Sequence, residues 1–284
     1  MSLPARKPIR MPKVTANHIE QYYEIYGQGP TLVLVHGGFV DSRMWQPQVE
    51  HFQQHFKVLR YDLRGHGQSG PSERSRYSIG LLAEDLLALL DALGIEQFTL
   101  CGLSLGGMIA QQFAVRHSER LRALVLADTA VSTSLTLSDW LQRYLFFPKW
   151  LLLLTLRMMG SRQFVRFSFW LARVTRSEAW IGQDEAVREY LHATMLKMEP
   201  AEYRKVYAAI YDFSLQPLER IGCPTLVLLG EHESKSVYRH AEEIVRRVPL
   251  SELQLIPDAG HTSNLEKPEA FNKAVADFLR RAVA

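Results

Sequence analysis

"CGLSLGG", residues 101–107, sets Ser104 between glycines at the end of an apolar run, "QFTLCG" (97–102), and ahead of a helical pattern running from Leu105 to about His117. Glycine and serine are both ordinary turn residues. At a junction of strand and helix, however, G-x-S-x-G is also the pattern of a nucleophile elbow. There the serine takes an unfavourable backbone conformation and the glycines relieve crowding around the bend. The helix that follows would point free N–H groups and partial positive charge at an oxyanion. The rest of the chain decides which reading holds.

Working outward, short β-rich runs alternate with helical patterns, the signature of a mainly parallel sheet covered by helices on both faces. "HIEQYYEIYG" (18–27) reads as an edge strand or hairpin, "TLVLVHG" (31–37) as a strand buried on both faces, and "FKVLRYD" (56–62) as the next strand. Helix 78–93 starts at a Ser78 cap and repeats Leu82, Leu86, Leu89, Leu90 and Leu93 along one stripe. Strand 121–128, strand 225–230, helix 237–247, strand 252–257 and a helix opening at Pro268 complete the series. The segment from about Thr129 to Pro217 interrupts it. That segment has no clear strands and is rich in Phe146, Phe147, Trp150, Phe164, Phe167, Phe169, Trp170 and Trp180. The expected organisation is a core of 1–130 and 217–284 with a helical cap inserted over 131–216.

Bulk composition excludes several function classes. The 284 residues carry 33 basic and 30 acidic side chains, a net +3 that does not call for nucleic acid, and no RNA-binding motif occurs. Cys101 and Cys223 form neither a CxxC pair nor a disulfide framework and read as buried free thiols in a reducing compartment. "MSLPARKPIRMPK" (1–13) lacks an apolar signal core and reads as a mobile tail. "WLLLLTLRMM" from Trp150 is too short to span a bilayer. A cytoplasmic protein is expected. "GHGQSG" (65–70) fits G-x-G-x-x-G, but Pro71 follows and no helix opens there, so it reads as a tight turn. With no HExxH, no paired Cys/His spacing and no P-loop, neither a metal nor a cofactor is expected.

A serine hydroxyl needs a base. His261, in the Gly-containing loop after strand 252–257, lies at a strand's C-terminal end, where α/β sheets place their sites. An acid must then hold the imidazole. Glu231 and Glu233 follow strand 225–230, and Asp128 closes strand 121–128 as the competitor. An oxyanion hole requires a second backbone donor besides Leu105. Gly38 in "VHGGF" (35–39) is the first candidate and Phe39 the second. Phe39, Trp45 and Met108 are expected to line the pocket.

With these residues in place, the chain resembles the α/β-hydrolase superfamily over nearly its whole length outside the cap. The matching stretches are "HGGFVDSRMW", "YDLRGHGQSG", "CGLSLGGMIAQ", "LVLADTA", "CPTLVLLGEHE" and "AGHTSNLEKPEAF". The run from "RYDLRGHGQSG" to "LVLADTA" is most similar to the esterase and enol-lactonase branch, including 3-oxoadipate enol-lactonase-like proteins. The resemblance implies a mostly parallel eight-stranded sheet flanked by helices. It implies Ser104 as nucleophile, His261 as base, and Gly38 and Leu105 as oxyanion donors. The usual acid position falls on Glu233, a departure from aspartate, with Asp128 as the alternative used by some members. The implied activity is cofactor-independent serine hydrolysis of small-molecule carboxylic esters or lactones through an acyl-enzyme. Thioester, carbon–carbon or perhydrolytic chemistry, or a ligand receptor with slow hydrolysis, are the alternatives.

Between Trp140 and Ser177 there is no Asp or Glu, while Arg143, Lys149, Arg157, Arg162, Arg166, Arg173 and Arg176 all occur. From Ser161, read as an N-cap, Phe164, Phe167, Leu171 and Val174 share a helical face and Arg162, Arg166, Arg173 and Arg176 another. The bland reading is a cap helix with a solvated basic face. The functional one is an apolar acyl or alkyl pocket, with the basic side favouring anionic substrates or peripheral contact with an anionic membrane. Oligomeric state is not readable from the sequence.

Overall fold

The computed structural model describes residues 13–135, 141, 148–175 and 184–282. Eight strands form one sheet in the order β1-β2-β4-β3-β5-β6-β7-β8. In chain order the first four are β1 (Lys13–Ala16), β2 (Ile19–Tyr26), β3 (Thr31–Val35) and β4 (Lys57–Tyr61). The others are β5 (Phe98–Leu103), β6 (Leu121–Ala127), β7 (Thr225–Gly230) and β8 (Ser251–Ile256). β1–β2 and β2–β4 pair antiparallel, and every other pair is parallel. β1 was not foreseen. Lys13 pairs with Tyr22 as the first residue of a strand rather than ending a tail, and residues 1–12 lie outside the described set.

The period-2 alternation of a strand sends successive side chains to opposite faces. On β3, Val33 and Val35 join one core while Leu32 and Leu34 join the other. The first core is covered by α2 (Ile79–Ala92), whose Ser78 cap accepts from the Leu81 amide, and by α3 (Leu105–Arg116). The second is covered by α1 (Gln46–Phe52) and the C-terminal helix Pro268–Ala282. Cys101 and Cys223 are buried and free.

Between β6 and β7 the chain builds α4 (Lys149–Met159), α5 (Ser161–Thr175), α6 (Glu185–Met195) and α7 (Pro200–Tyr211). Ser161 is the first residue of α5 rather than its cap, following Gly160 at φ 80°, and its buried Oγ has no hydrogen-bond partner among the described residues. Buried and half-buried polar contacts tie this segment to the sheet side. Tyr77 donates to Glu202 Oε2, the Lys205 ammonium donates to the Ser72 carbonyl at 2.7 Å, and Tyr190 donates to Asp41 Oδ1 at 3.1 Å. After β7 come α8 (Lys235–Arg247), a short α9 (Ser263–Glu266) and α10 (Pro268–Ala282). None of the described helices is long and apolar enough to cross a membrane.

Candidate active site

The parallel strands β5, β6, β7 and the β8 that follows all end at one edge, so the loops leaving them meet there. Ser104 sits between β5 and α3 at φ 54°, ψ −116°, a conformation that costs about 1–3 kcal/mol and persists only when its surroundings enforce it. They do. The Ser104 amide donates to the Ala127 carbonyl at 2.9 Å, and its own carbonyl accepts from Thr129 Oγ1 at 2.7 Å and the Met108 amide at 3.1 Å. The flanking glycines are required by packing. A Cβ on Gly102 would stand 2.2 Å from the Gly106 carbonyl oxygen, and one on Gly106 would stand 2.1 Å from that of Val35.

His261 Nε2 lies 2.9 Å from Ser104 Oγ, and its Nδ1 is hydrogen-bonded to Glu233 Oε1. Glu233 is buried at 3% side-chain exposure, and its other oxygen accepts from the Ser234 amide at 2.6 Å. The His261 loop comes this close because β7 ends in glycine, where a Cβ would be 2.2 Å from the Gly260 carbonyl oxygen. Glu266 steadies the same loop by accepting from the Gly260 amide at 3.1 Å and from Thr262 Oγ1 at 2.9 Å.

The other two acids of the sequence reading go elsewhere. Glu231 is exposed and accepts from the Asp258 amide at 3.0 Å. Asp128, fully buried at φ 45°, accepts from the Gly230 amide at 2.8 Å and from Ser263 Oγ, and it makes no hydrogen bond to His261. It links three strand-end loops without touching the imidazole.

Burial by itself lowers the His261 pKa, but the Glu233 charge and hydrogen bond, with smaller help from Asp128 and Glu266, outweigh it and raise it to about 9. Glu233 is held below its usual value: burial opposes this, and the His261 charge overrides burial. Asp128 is pushed up to about 7 by burial first and then by the Glu233 charge.

Gly38 and Leu105 are neighbours in front of Ser104: a Cβ on Gly38 would meet the Leu105 side chain at 3.5 Å. Leu105 opens α3, so its N–H is among those that have no acceptor within the helix. Phe39, the second donor candidate, has its amide engaged by His66 Nε2 at 3.1 Å. That histidine belongs to the "GHGQSG" turn, which opens no helix. His36 acts alike, its Nε2 accepting from the Leu63 amide at 2.9 Å and its Nδ1 facing the Gly37 carbonyl at 2.7 Å. Burial lowers the pKa of His36 to about 4 and of His66 to about 3, so both rings are neutral struts of the loop carrying Gly38. The sequence reading gave neither a role. The His-Gly and Gly-His pairs at strand ends were the available signal.

A cavity of about 380 Å³ opens over Ser104 and His261. Its walls are Phe39 and Val40, Phe164, Val165 and Phe169 of α5, Leu191 and Met195 of α6, and Tyr203, Tyr207 and Ile210 of α7. Phe39 stacks on Tyr203 with centroids 4.2 Å apart. Two expected lining residues are absent. Trp45 is fully buried in the second core against Phe271, and Met44, one residue earlier, takes the wall position. Met108 packs into the first core from α3. The expected α5 face is also corrected. Only Phe164 of the four faces the cavity, while Phe167, Leu171 and Val174 are exposed. Phe146, Phe147, Trp180, Arg143, Arg176 and the Arg173 side chain lie outside the described residues.

A larger, polar cavity of about 530 Å³ lies behind Phe39 and Val40, lined by ion-paired groups such as Arg43, Arg60 and Glu202, and it contains neither Ser104 nor His261. The exposed Glu231, His232 and Asp258 hold three ligand atoms within 4.8 Å of one another on the outer surface, away from the cavity lining.

The site thus sets a serine on a strained strand–helix turn, hydrogen-bonded to a histidine that is itself hydrogen-bonded to a carboxylate, at the C-terminal edge of a mostly parallel sheet. The α/β hydrolase fold family matches residues 30–268, and the chain belongs to that family and is an enzyme of the hydrolase type. It is 28% identical over 271 residues to 3-oxoadipate enol-lactonase 2 of Acinetobacter baylyi, covering 94% of this chain and 96% of that one. It is 26% identical to a carboxylesterase of Bacillus subtilis, over 88% of this chain and 80% of that one. The crystal structure of the enol-lactonase from Burkholderia xenovorans superposes with a TM-score of 0.81 at 28% identity, over 95% of this chain and 100% of that one.

Proposed function

We propose that the protein hydrolyses small carboxylic esters or lactones with an apolar acyl or alkyl part, through an acyl-enzyme on Ser104. The observation that carries this is the continuous relay Ser104 Oγ–His261–Glu233 at the floor of an apolar cavity. The relatives named for enol-lactone and carboxylic ester substrates support the same substrate class.

In this reading, Ser104 Oγ attacks the carbonyl carbon while its proton passes to His261 Nε2. Glu233 stabilises the imidazolium that results and fixes the ring so that Nε2 faces the serine. The carbonyl oxygen gains negative charge between the amides of Gly38 and Leu105, at the positive end of α3. Collapse breaks the ester C–O bond, and the leaving oxygen takes the proton from His261. In a lactone that oxygen stays tethered to the acyl group. Water then attacks the acyl-enzyme, gives its proton to His261, and releases the acid as the proton returns to Ser104. The segment 131–216 acts as a cap: its helices form the apolar wall that keeps bulk water off the acyl group.

Steady-state hydrolysis of p-nitrophenyl esters from acetate to long chains tests the reading, with Ser104→Ala as control. Turnover in the parent that vanishes in the variant is the expected result. Equal turnover in both would overturn it.

A further inference from the structure

We infer that the outer face of α4 and α5 is a docking surface for an anionic lipid bilayer. Nine of the thirteen exposed large apolar side chains among the described residues lie on these two helices. On α4, Trp150, Leu154 and Met158 recur every four residues, and Met158 is 79% exposed. On α5, Phe167, Trp170 and Val174 share one helical face, with the Phe167 and Trp170 rings stacked at 5.7 Å. Soluble proteins rarely leave so much contiguous apolar surface in water unless something covers it.

Charge identifies the occupant. Arg157, Arg162 and Arg166 border the apolar stripes, are exposed, and form no ion pair among the described residues. No acidic residue occurs from Trp140 to Ser177, and where Arg166 and Trp170 share a groove with Glu185 and Glu189 of α6, Arg188 and His192 line the same groove. Apolar stripes with tryptophan, edged by arginine on two helices that carry no carboxylate of their own, are the pattern of helices lying in the headgroup plane of an anionic membrane. A second copy of this chain would instead bring like-charged arginine edges together.

Helix α5 has two working faces. Phe164, Val165 and Phe169 line the cavity above Ser104 while Phe167, Trp170 and Val174 face outward. Docking would therefore seat the cavity wall on the lipid and let apolar esters enter from it. Only that consequence rests on the proposed hydrolysis; the docking itself does not.

The test is flotation of the full chain carrying Ser104→Ala with vesicles of phosphatidylcholine alone or mixed with phosphatidylglycerol, followed by the same assay on Arg162→Glu/Arg166→Glu and Trp170→Asp added to that background. Flotation with the anionic vesicles, about tenfold weaker on neutral ones and reduced about tenfold or more by either set of substitutions, is expected. Absence of flotation overturns the inference. So does equal binding by parent and variants, or concentration-dependent dimerisation that the same variants abolish. Arg162→Glu/Arg166→Glu with Ser104 intact should keep the parent's turnover of a soluble ester. Loss of turnover there would place those arginines in catalysis instead. Vesicle binding without any ester turnover would leave the docking standing and remove the hydrolase reading.

Discussion

The strand-end loops and the inserted helices contribute to the same cavity in opposite ways. The loops are polar, internally satisfied and fixed from several sides: Ser104 by three backbone-directed hydrogen bonds, His261 by Glu233 and a glycine-lined approach, and Asp128 by Gly230 and Ser263. The helices meet the substrate side with aromatic and aliphatic surface, and they leave comparable surface exposed on their far side. In the proposed reaction, chemistry that depends on distances of a few tenths of an ångström falls to the hydrogen-bonded loops, and choice of acyl group, which tolerates repacking, falls to the apolar helices. Substitutions of the loop residues in the Ser104–His261–Glu233 relay should therefore act on kcat by orders of magnitude, and those in the helices on selectivity by single factors.

The largest effect belongs to Ser104→Ala and His261→Ala, each lowering kcat for a p-nitrophenyl ester by about 10⁴-fold or more with the fold intact by circular dichroism. Glu233→Gln follows, with a loss of about 10²–10⁴-fold, because a neutral amide can neither stabilise the imidazolium nor enforce the tautomer. Asp128→Asn should cost less than about tenfold in kcat while lowering stability by about 1–3 kcal/mol, since an amide cannot fully replace the carboxylate between Gly230 and Ser263. The reverse ranking in steady-state kinetics would make Asp128 the acid.

Packing at the elbow sets the next effect. Gly106→Ala forces a methyl against the Val35 carbonyl and should lower the thermal midpoint by several degrees or prevent folding. Two pH dependences come next, with opposite signs. Because His261 is raised to about 9, its pairing stabilises the fold fully below its unfolded pKa of about 6.5 and is lost as pH rises through 9, where the neutral base forms. kcat/KM should accordingly climb from neutral pH towards 9. His36 and His66, lowered to about 4 and about 3, contribute stability that is complete above about 6.5 and is lost as pH falls through those values. Denaturant titrations at stepped pH should show the acid-side loss. Smallest is Phe164→Ala, which widens the cavity wall and should shift the kcat/KM ratio of longer to shorter acyl esters by about tenfold or less.

The same contrast explains what the sequence disclosed. Ser104, His261, Glu233 and Gly38 stand at the ends of patterned strands, where topology brings them to one edge; pattern alone leaves Glu231 and Glu233 equal, the family resemblance points to Glu233, and Glu233 is the one hydrogen-bonded to the imidazole. The buried α2 stripe was legible for the same reason, since a 3.6-residue period marks its covered face. The four-residue β1 was too short to show a period. In the inserted helices, apolar residues lie on two faces at once, so periodicity grouped Phe164 with the outward Phe167 and missed Val165 and Phe169. Trp45 lies in the core and not in the pocket wall, a difference that pattern alone does not carry, because a large aromatic beside Met44 in a 3₁₀ turn fits either place. The role of His36 and His66, holding loop amides as neutral rings, carries no sequence pattern because it arises only where the two loops lie side by side.

Covalent catalysis by Ser104 is the centre of this account, and rapid-quench intact-mass spectrometry during turnover of a short-chain p-nitrophenyl ester reads it directly. A single acyl adduct, mapped by peptide sequencing to Ser104 and absent from Ser104→Ala, is the predicted result. Full-rate turnover with the protein never acylated, or acylated at another residue, would contradict it.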